Sequence, residues 1–187
     1  VKEVAQSQPA TPYDGQNALW HERSDLISHN TPAAFAQHLQ RQAPNLSQVW
    51  VKINDGPNWV GNLDRGPIAI CGSADLQRWI HDLGASDLAL HAWCAVHGSD
   101  LEREAGLIAI TCQQSGLRSL LLDISAWRGG RETVRPFMTG LRRELPTDLH
   151  IGLRFDPQSS SYDLEQWLPF VNSLHPNCDW VACRTTP

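Results

Sequence analysis

The 187-residue chain is 41 % hydrophobic with a formal net charge of -5, enough to bury one sizeable core. That charge argues against the basic face a nucleic-acid partner would need. No apolar run approaches the ~18 residues of a membrane-spanning helix, so no membrane span is expected.

Residues 1–17, VKEVAQSQPATPYDGQN, are polar, hold two prolines and show no period. They read as a flexible tail or linker, which suggests a domain cut from a longer chain, and residues 18–187 as the folded domain. A β-rich run, ALWHER (18–23), comes first. Thr31 and Pro32 then form an N-cap and N1 pair opening the helix PAAFAQHLQRQ. The strand QVWVKIND (48–55) follows. Ser73 is placed to cap ADLQRWIHDLG, whose Leu76, Trp79, Ile80 and Leu83 share one face before Gly84. After the strand LALHAWCAVHG (88–98), SDLE at 99–102 has capping-box spacing for a helix ending near Gly116. The strand RSLLLDIS (118–125) leads to RETVRPFMTGLRREL, where Pro136 fits only near the first turn. HIGLRFDP (150–157) is a fifth strand. YDLEQWLPFVNSLH repeats the helical spacing with a kink at Pro169, and CDWVACR (178–184) is a sixth strand.

Strand and helix in alternation predict a parallel α/β domain. No glycine-rich phosphate loop follows the first strand, which argues against an open nucleotide-binding sheet. Polar residues recur instead at strand C-terminal ends, where a (β/α) barrel gathers its site. A complete barrel typically takes ~250 residues, so this one is expected to be incomplete, with about six strands. The strand ends supply Glu22, then Lys52, Asn54 and Asp55, then Trp93 and His97. Asp123 and Ser125 follow, then Arg154 and Asp156, and last Asp179, Trp180 and Arg184. Period-two alternation puts Lys52 with Asn54, Asp123 with Ser125, and Arg154 with Asp156 on shared inward faces.

The segments VWVKINDGPNWVGNLD, LHAWCAVHG, SLLLDISAWRGG, IGLRFDP and LEQWLPFVNSLHPNCDW resemble those of a bacterial glycoside-hydrolase-like TIM-barrel family whose members often accompany LysM modules. The likeness runs in order from residue 18 to 184 on short, mostly hydrophobic motifs. In barrels of that kind the fourth strand usually ends Asp-x-Glu, with the glutamate as acid or nucleophile. Asp123 matches the aspartate, but Ser125 stands where the glutamate would be. A glycosidase needs two carboxyl groups, one to protonate the leaving oxygen and one to act as base or nucleophile. A serine hydroxyl fills neither role, so the resemblance implies a degenerate site. Residual catalysis would fall to Asp123 with Asp156, Glu22 or Asp55. Sugar binding would fall to Lys52, Asp55, Trp93, Trp127, Arg154 and Trp180.

The same residues carry plainer readings. Asp123 with Arg154 would make a buried structural ion pair. His21, His91 and His97 lack metal-ligand spacing, so neither a metal nor a cofactor is implied. Cys94 and His97 fall on opposite sides of one strand, which disfavours a nucleophilic dyad. The five cysteines suggest reduced packing residues, with Cys178–Cys183 the one tempting bridge. Two functions stay open: a glycan-related domain, either a weak hydrolase or a binder, and a non-catalytic interaction or assembly module of a multidomain protein. The second would use a protein partner or self-association at the open sheet edge. An extracellular or cell-wall place goes with the first and a cytoplasmic one with the second.

Overall fold

The computed structural model describes residues 11–13, 16–159 and 163–177. Six parallel strands carry the fold: β1 (Asn17–His21), β2 (Leu46–Asp55), β4 (Ala89–Ala95), β5 (Leu120–Asp123), β6 (Ile151–Phe155) and β7 (Ser173–Pro176). They lie in the order β1-β2-β4-β5-β6-β7, each paired parallel with the next. No strand order reverses, so the sheet is not doubly wound. Among the described residues it curls into half a barrel and stays open. A two-residue strand β3 (Asn58–Trp59) folds back antiparallel on β2, a hairpin the sequence reading lacks.

Four helices return the chain across the convex face: α1 (Pro32–Gln42), α2 (Ser73–Gly84), α3 (Leu101–Cys112) and α4 (Arg131–Glu144). Each lays an apolar stripe on alternate strand residues, so Leu76, Trp79, Ile108, Met138 and Leu141 pack in one core with Val51, Leu90, Cys94, Leu122 and Leu153. The Thr31 side chain accepts from the Ala34 N–H, as its position before Pro32 predicts.

Two caps differ from expectation. Ser73 is the first helical residue of α2 and does not cap it; the Asp75 carboxylate takes the Cys71 N–H instead. The cap of α3 is Asp100, one residue after the expected Ser99, with its side chain accepting from the Arg103 N–H. The larger correction concerns residues 162–175. Pro169 cannot donate the backbone bond a continuous helix needs, and the described part forms two 3-10 turns (Leu164–Gln166 and Leu168–Phe170) followed by β7. The sixth parallel strand is therefore Ser173–Pro176, and the strand expected at 178–184 lies outside the described residues.

The structure describes part of the expected tail. β1 begins at Asn17, and Tyr13 sits on the concave face of the sheet, its ring 4.7 Å from that of Trp50. Its hydroxyl donates to Ser119 Oγ at 3.1 Å. A half-barrel leaves its concave side without facing strands, and this aromatic ring covers part of it. Residues 1–10 lie outside the described residues.

Candidate functional site at the mouth of the half-barrel

Side chains alternate across each strand, so the residues opposite the helix-facing core point into the concavity. Register then builds rows across the sheet. Trp20 pairs with Trp50, and Trp50 with His91. Their rings stack in sequence, 5.2 Å apart for the two indoles and 4.8 Å for Trp50 and His91. The edge of Trp93 meets Trp20 at 5.3 Å. This aromatic band forms the floor on which the charged residues stand.

Asp123 and Arg154 are directly opposed in the β5–β6 register. Arg154 Nη1 lies 2.6 Å from Asp123 Oδ2, which also accepts from the Trp93 indole N–H at 3.1 Å. Asp123 Oδ1 accepts from the Ser125 N–H at 3.0 Å. Both carboxylate oxygens thus serve protein donors, and only 6 % of Asp123 is exposed. The guanidinium stands 5.2 Å from the Trp93 ring and 5.5 Å from that of Trp20, a cation held between two indoles.

A second charged group lies beside it. Lys52 Nζ bridges Glu22 at 3.2 Å and Asp55 at 3.0 Å, and Asp55 Oδ1 meets His97 Nε2 at 2.7 Å. The expected alternation of Lys52 with Asn54 fails here. The β2–β4 register shifts between Lys52 and Asn54, so one extra residue turns Asn54 to the core phase and Asp55 to the concave one. Asn54 is fully buried, and its amide donates to the Gly56 and Ala95 carbonyls. Gly56 adopts a φ of 56°, and a Cβ there would come within 2.7 Å of His97 Nδ1. His97 is held from its other side by Glu104, a buried carboxylate that accepts from the N–H groups of His97, Gly98, Ser99 and Asp100.

Trp20, Glu22, Trp93, Arg154, Leu174 and His175 line a concavity of about 630 Å³, within the size range of small-ligand sites. Of the residues expected there, Glu22, Trp93 and Arg154 line it directly. Asp123 holds Arg154 from below, and Lys52 ties Glu22 to Asp55. Asp156 does not line the concavity; its Oδ1 takes the Gln158 N–H in the turn after β6. Ser125 is exposed in the turn after β5, which begins once Asp123 ends the strand. Trp127 is a correction. It is 2 % exposed in the helix layer, with its ring 4.9 Å from Trp167 and 5.6 Å from Phe137. The two-residue step past Ile124 carries it over the convex side. Trp180, Asp179 and Arg184 lie outside the described residues.

Sequence reasoning placed His97 at a strand end but missed Trp20 and Glu104 as parts of this site. Trp20 had a readable signal, since it lies on β1 two residues before Glu22, which follows the strand. Glu104 had none, because its partners are backbone groups of a loop. Among the described residues no cluster of three or more His, Cys, Asp or Glu is arranged to hold a metal. Cys94 and Cys112 are buried free thiols, and burial pushes the Cys112 thiol up to about 12. Cys71 is exposed, although its segment reads as apolar.

No protein-family model matches the chain, and no curated protein does. Among solved structures it is similar to the carboxyl transferase domain of Rhizobium etli pyruvate carboxylase. The Y628A variant with pyruvate aligns at 15 % identity, and the domain with pyruvate and biocytin at 16 %, both with a TM-score of 0.56. Each alignment covers 84 % of this chain and 26 % of the other, so the chain spans about a quarter of the length of the structures it matches. At this identity the likeness shows the fold, a barrel-type parallel α/β architecture.

Proposed function

We propose that the mouth of the half-barrel binds a carbohydrate without cleaving it, as a glycoside-hydrolase-like barrel domain with a degenerate site. The observation that carries this is Trp20, 45 % exposed, beside Glu22, Trp93 and Arg154 in one concavity. An indole face offers an apolar platform for the C–H face of a sugar ring, while the flanking charged groups reach its hydroxyls. The absence of turnover is supported by Asp123, whose two oxygens accept from Arg154, Trp93 and Ser125. It is supported as well by Ser125, which puts a hydroxyl where the resembling barrels carry a carboxyl. The family resemblance points to cell-wall glycans as the class to test. Titration with β-linked and peptidoglycan-derived oligosaccharides should give saturable binding that Trp20→Ala removes while far-ultraviolet circular dichroism stays unchanged. Binding that survives Trp20→Ala would move the site elsewhere.

One observation favours assembly as a second reading. Among the described residues β1 and β7 end the sheet, and Trp20 and Leu174 are exposed there, Leu174 at 43 %. Unpaired sheet ends with apolar side chains invite a partner strand or a second copy. Light scattering across a concentration series, repeated with Leu174→Lys, separates this reading from the first. Association lost in that variant would support assembly; a monomer throughout would leave the glycan reading alone.

A further inference from the structure

We infer that the sugar taken at this mouth bears a free amino group, as a glucosamine-type residue does, and is neither N-acetylated nor a uronate. The inference rests on the carbohydrate reading and follows from the charge layout of the same concavity. Among the described residues the mouth groups are three carboxylates, Glu22, Asp55 and Asp123, and two cations, Lys52 and Arg154. Both cations are turned to carboxylates of the protein: Lys52, with a side chain 12 % exposed, to Glu22 and Asp55, and Arg154, at 16 %, to Asp123.

Glu22 is different. Its side chain is 58 % exposed; Oε1 accepts from Lys52, and among the described residues Oε2 has no partner. It follows β1 directly and lines the concavity together with Trp20, two residues earlier. A pyranose stacked on the Trp20 face therefore meets a solvent-facing carboxylate at its rim. An ammonium substituent would pair with that oxygen. A uronate would meet repulsion from Glu22, and the exposed cation next to it, Arg23, is turned to Asp25. An N-acetyl group would bring neither effect.

The selectivity is a rim effect and modest in size. An exposed pair contributes up to ~1 kcal/mol, or about fivefold in Kd, and weakens with salt. Isothermal titration of the 187-residue chain with three tetrasaccharides tests it: glucosamine, N-acetylglucosamine and galacturonate. A lysine tetrapeptide serves as a charge control. The expected result is about fivefold tighter binding of the glucosamine tetramer than of its N-acetylated form at low salt. Galacturonate should bind more weakly than the N-acetylated tetramer. The preference should disappear in Glu22→Gln, and all binding should disappear in Trp20→Ala. Equal or tighter binding of the N-acetylated tetramer, still dependent on Trp20, would overturn this inference and leave the carbohydrate reading standing. Binding of the lysine peptide as tightly as glucosamine, with Trp20→Ala without effect, would reduce the result to attraction of any cation. Failure of all three sugars to bind would overturn the carbohydrate reading itself.

Discussion

Asp123 shows how one side chain reconciles a charge with a buried strand. It ends an otherwise apolar run, and the carboxylate is tolerated there because Arg154, the Trp93 indole and the Ser125 amide surround it. Removing one member of such a buried pair costs about 3 kcal/mol. Asp123→Ala should therefore lose about that much in denaturant unfolding, and a loss below ~1 kcal/mol would show the carboxylate to be solvated. The histidines give a second residue-scale prediction. Burial lowers His21, against Phe35 and Trp79, from 6.5 to about 4, partly opposed by the charge of Asp64. Burial likewise lowers His91 to about 4, with Arg118 and His150 adding to the effect. Between those values the unfolded chain binds protons that the folded chain does not. Stability is then full above pH 6.5 and falls as pH drops towards 4, by an upper limit of about 3 kcal/mol for each histidine. Unfolding midpoints measured from pH 7 to 4 should decline, and the decline should be shallower in His91→Gln. An unchanged slope in that variant would show that His91 takes up its proton in the folded state.

At the scale of elements, the mouth depends on the loop between β4 and α3. Glu104, from the first turn of α3, gathers four backbone N–H groups and the Ser99 hydroxyl. The arrangement satisfies backbone donors of the loop that leads into α3 and fixes His97 against Asp55. Glu104→Gln would turn an amide N–H₂ toward groups that can only donate. The expected cost is about 1–3 kcal/mol in chemical unfolding, together with faster amide exchange of residues 97–100. Slow exchange retained there would show that the loop is held by other contacts. Strand elements were legible because their apolar runs are bounded and regular, as in LLLD. The helix expected at 162–175 was not: Leu164, Trp167, Leu168 and Val171 keep helical spacing, and what defeats it is Pro169 together with the free edge of β6. That edge captures Ser173–Pro176 as a strand. Spacing reports where apolar side chains recur, and an available sheet edge can use the same residues differently.

For the whole molecule, the half-barrel decides how much chemistry the mouth can do. An enzyme of this architecture gathers groups from strands all round a closed ring, whereas among the described residues six parallel strands form an open arc. The chain is expected to be inert on peptidoglycan and on simple β-linked oligosaccharides. Ser125→Glu should stay inert too, since it adds a carboxyl on an exposed turn without the surrounding shell that holds catalytic groups to within ~0.5 Å. Reducing-sugar release by the wild-type chain, lost in Asp123→Asn with folding intact, would reverse that expectation. By itself the sequence determined the parallel α/β class, the order of the strands, the convex core and the pairing of Asp123 with Arg154. Each follows from local periodicity and from the short connections that make consecutive strands neighbours. Tertiary structure alone decided that a bulge exchanges Asn54 for Asp55 at the mouth. It also decided that Trp127 belongs to the helix layer, and that Tyr13 folds back onto the concave face. Those outcomes depend on register and on which surface remains uncovered, quantities that arise only when distant segments meet.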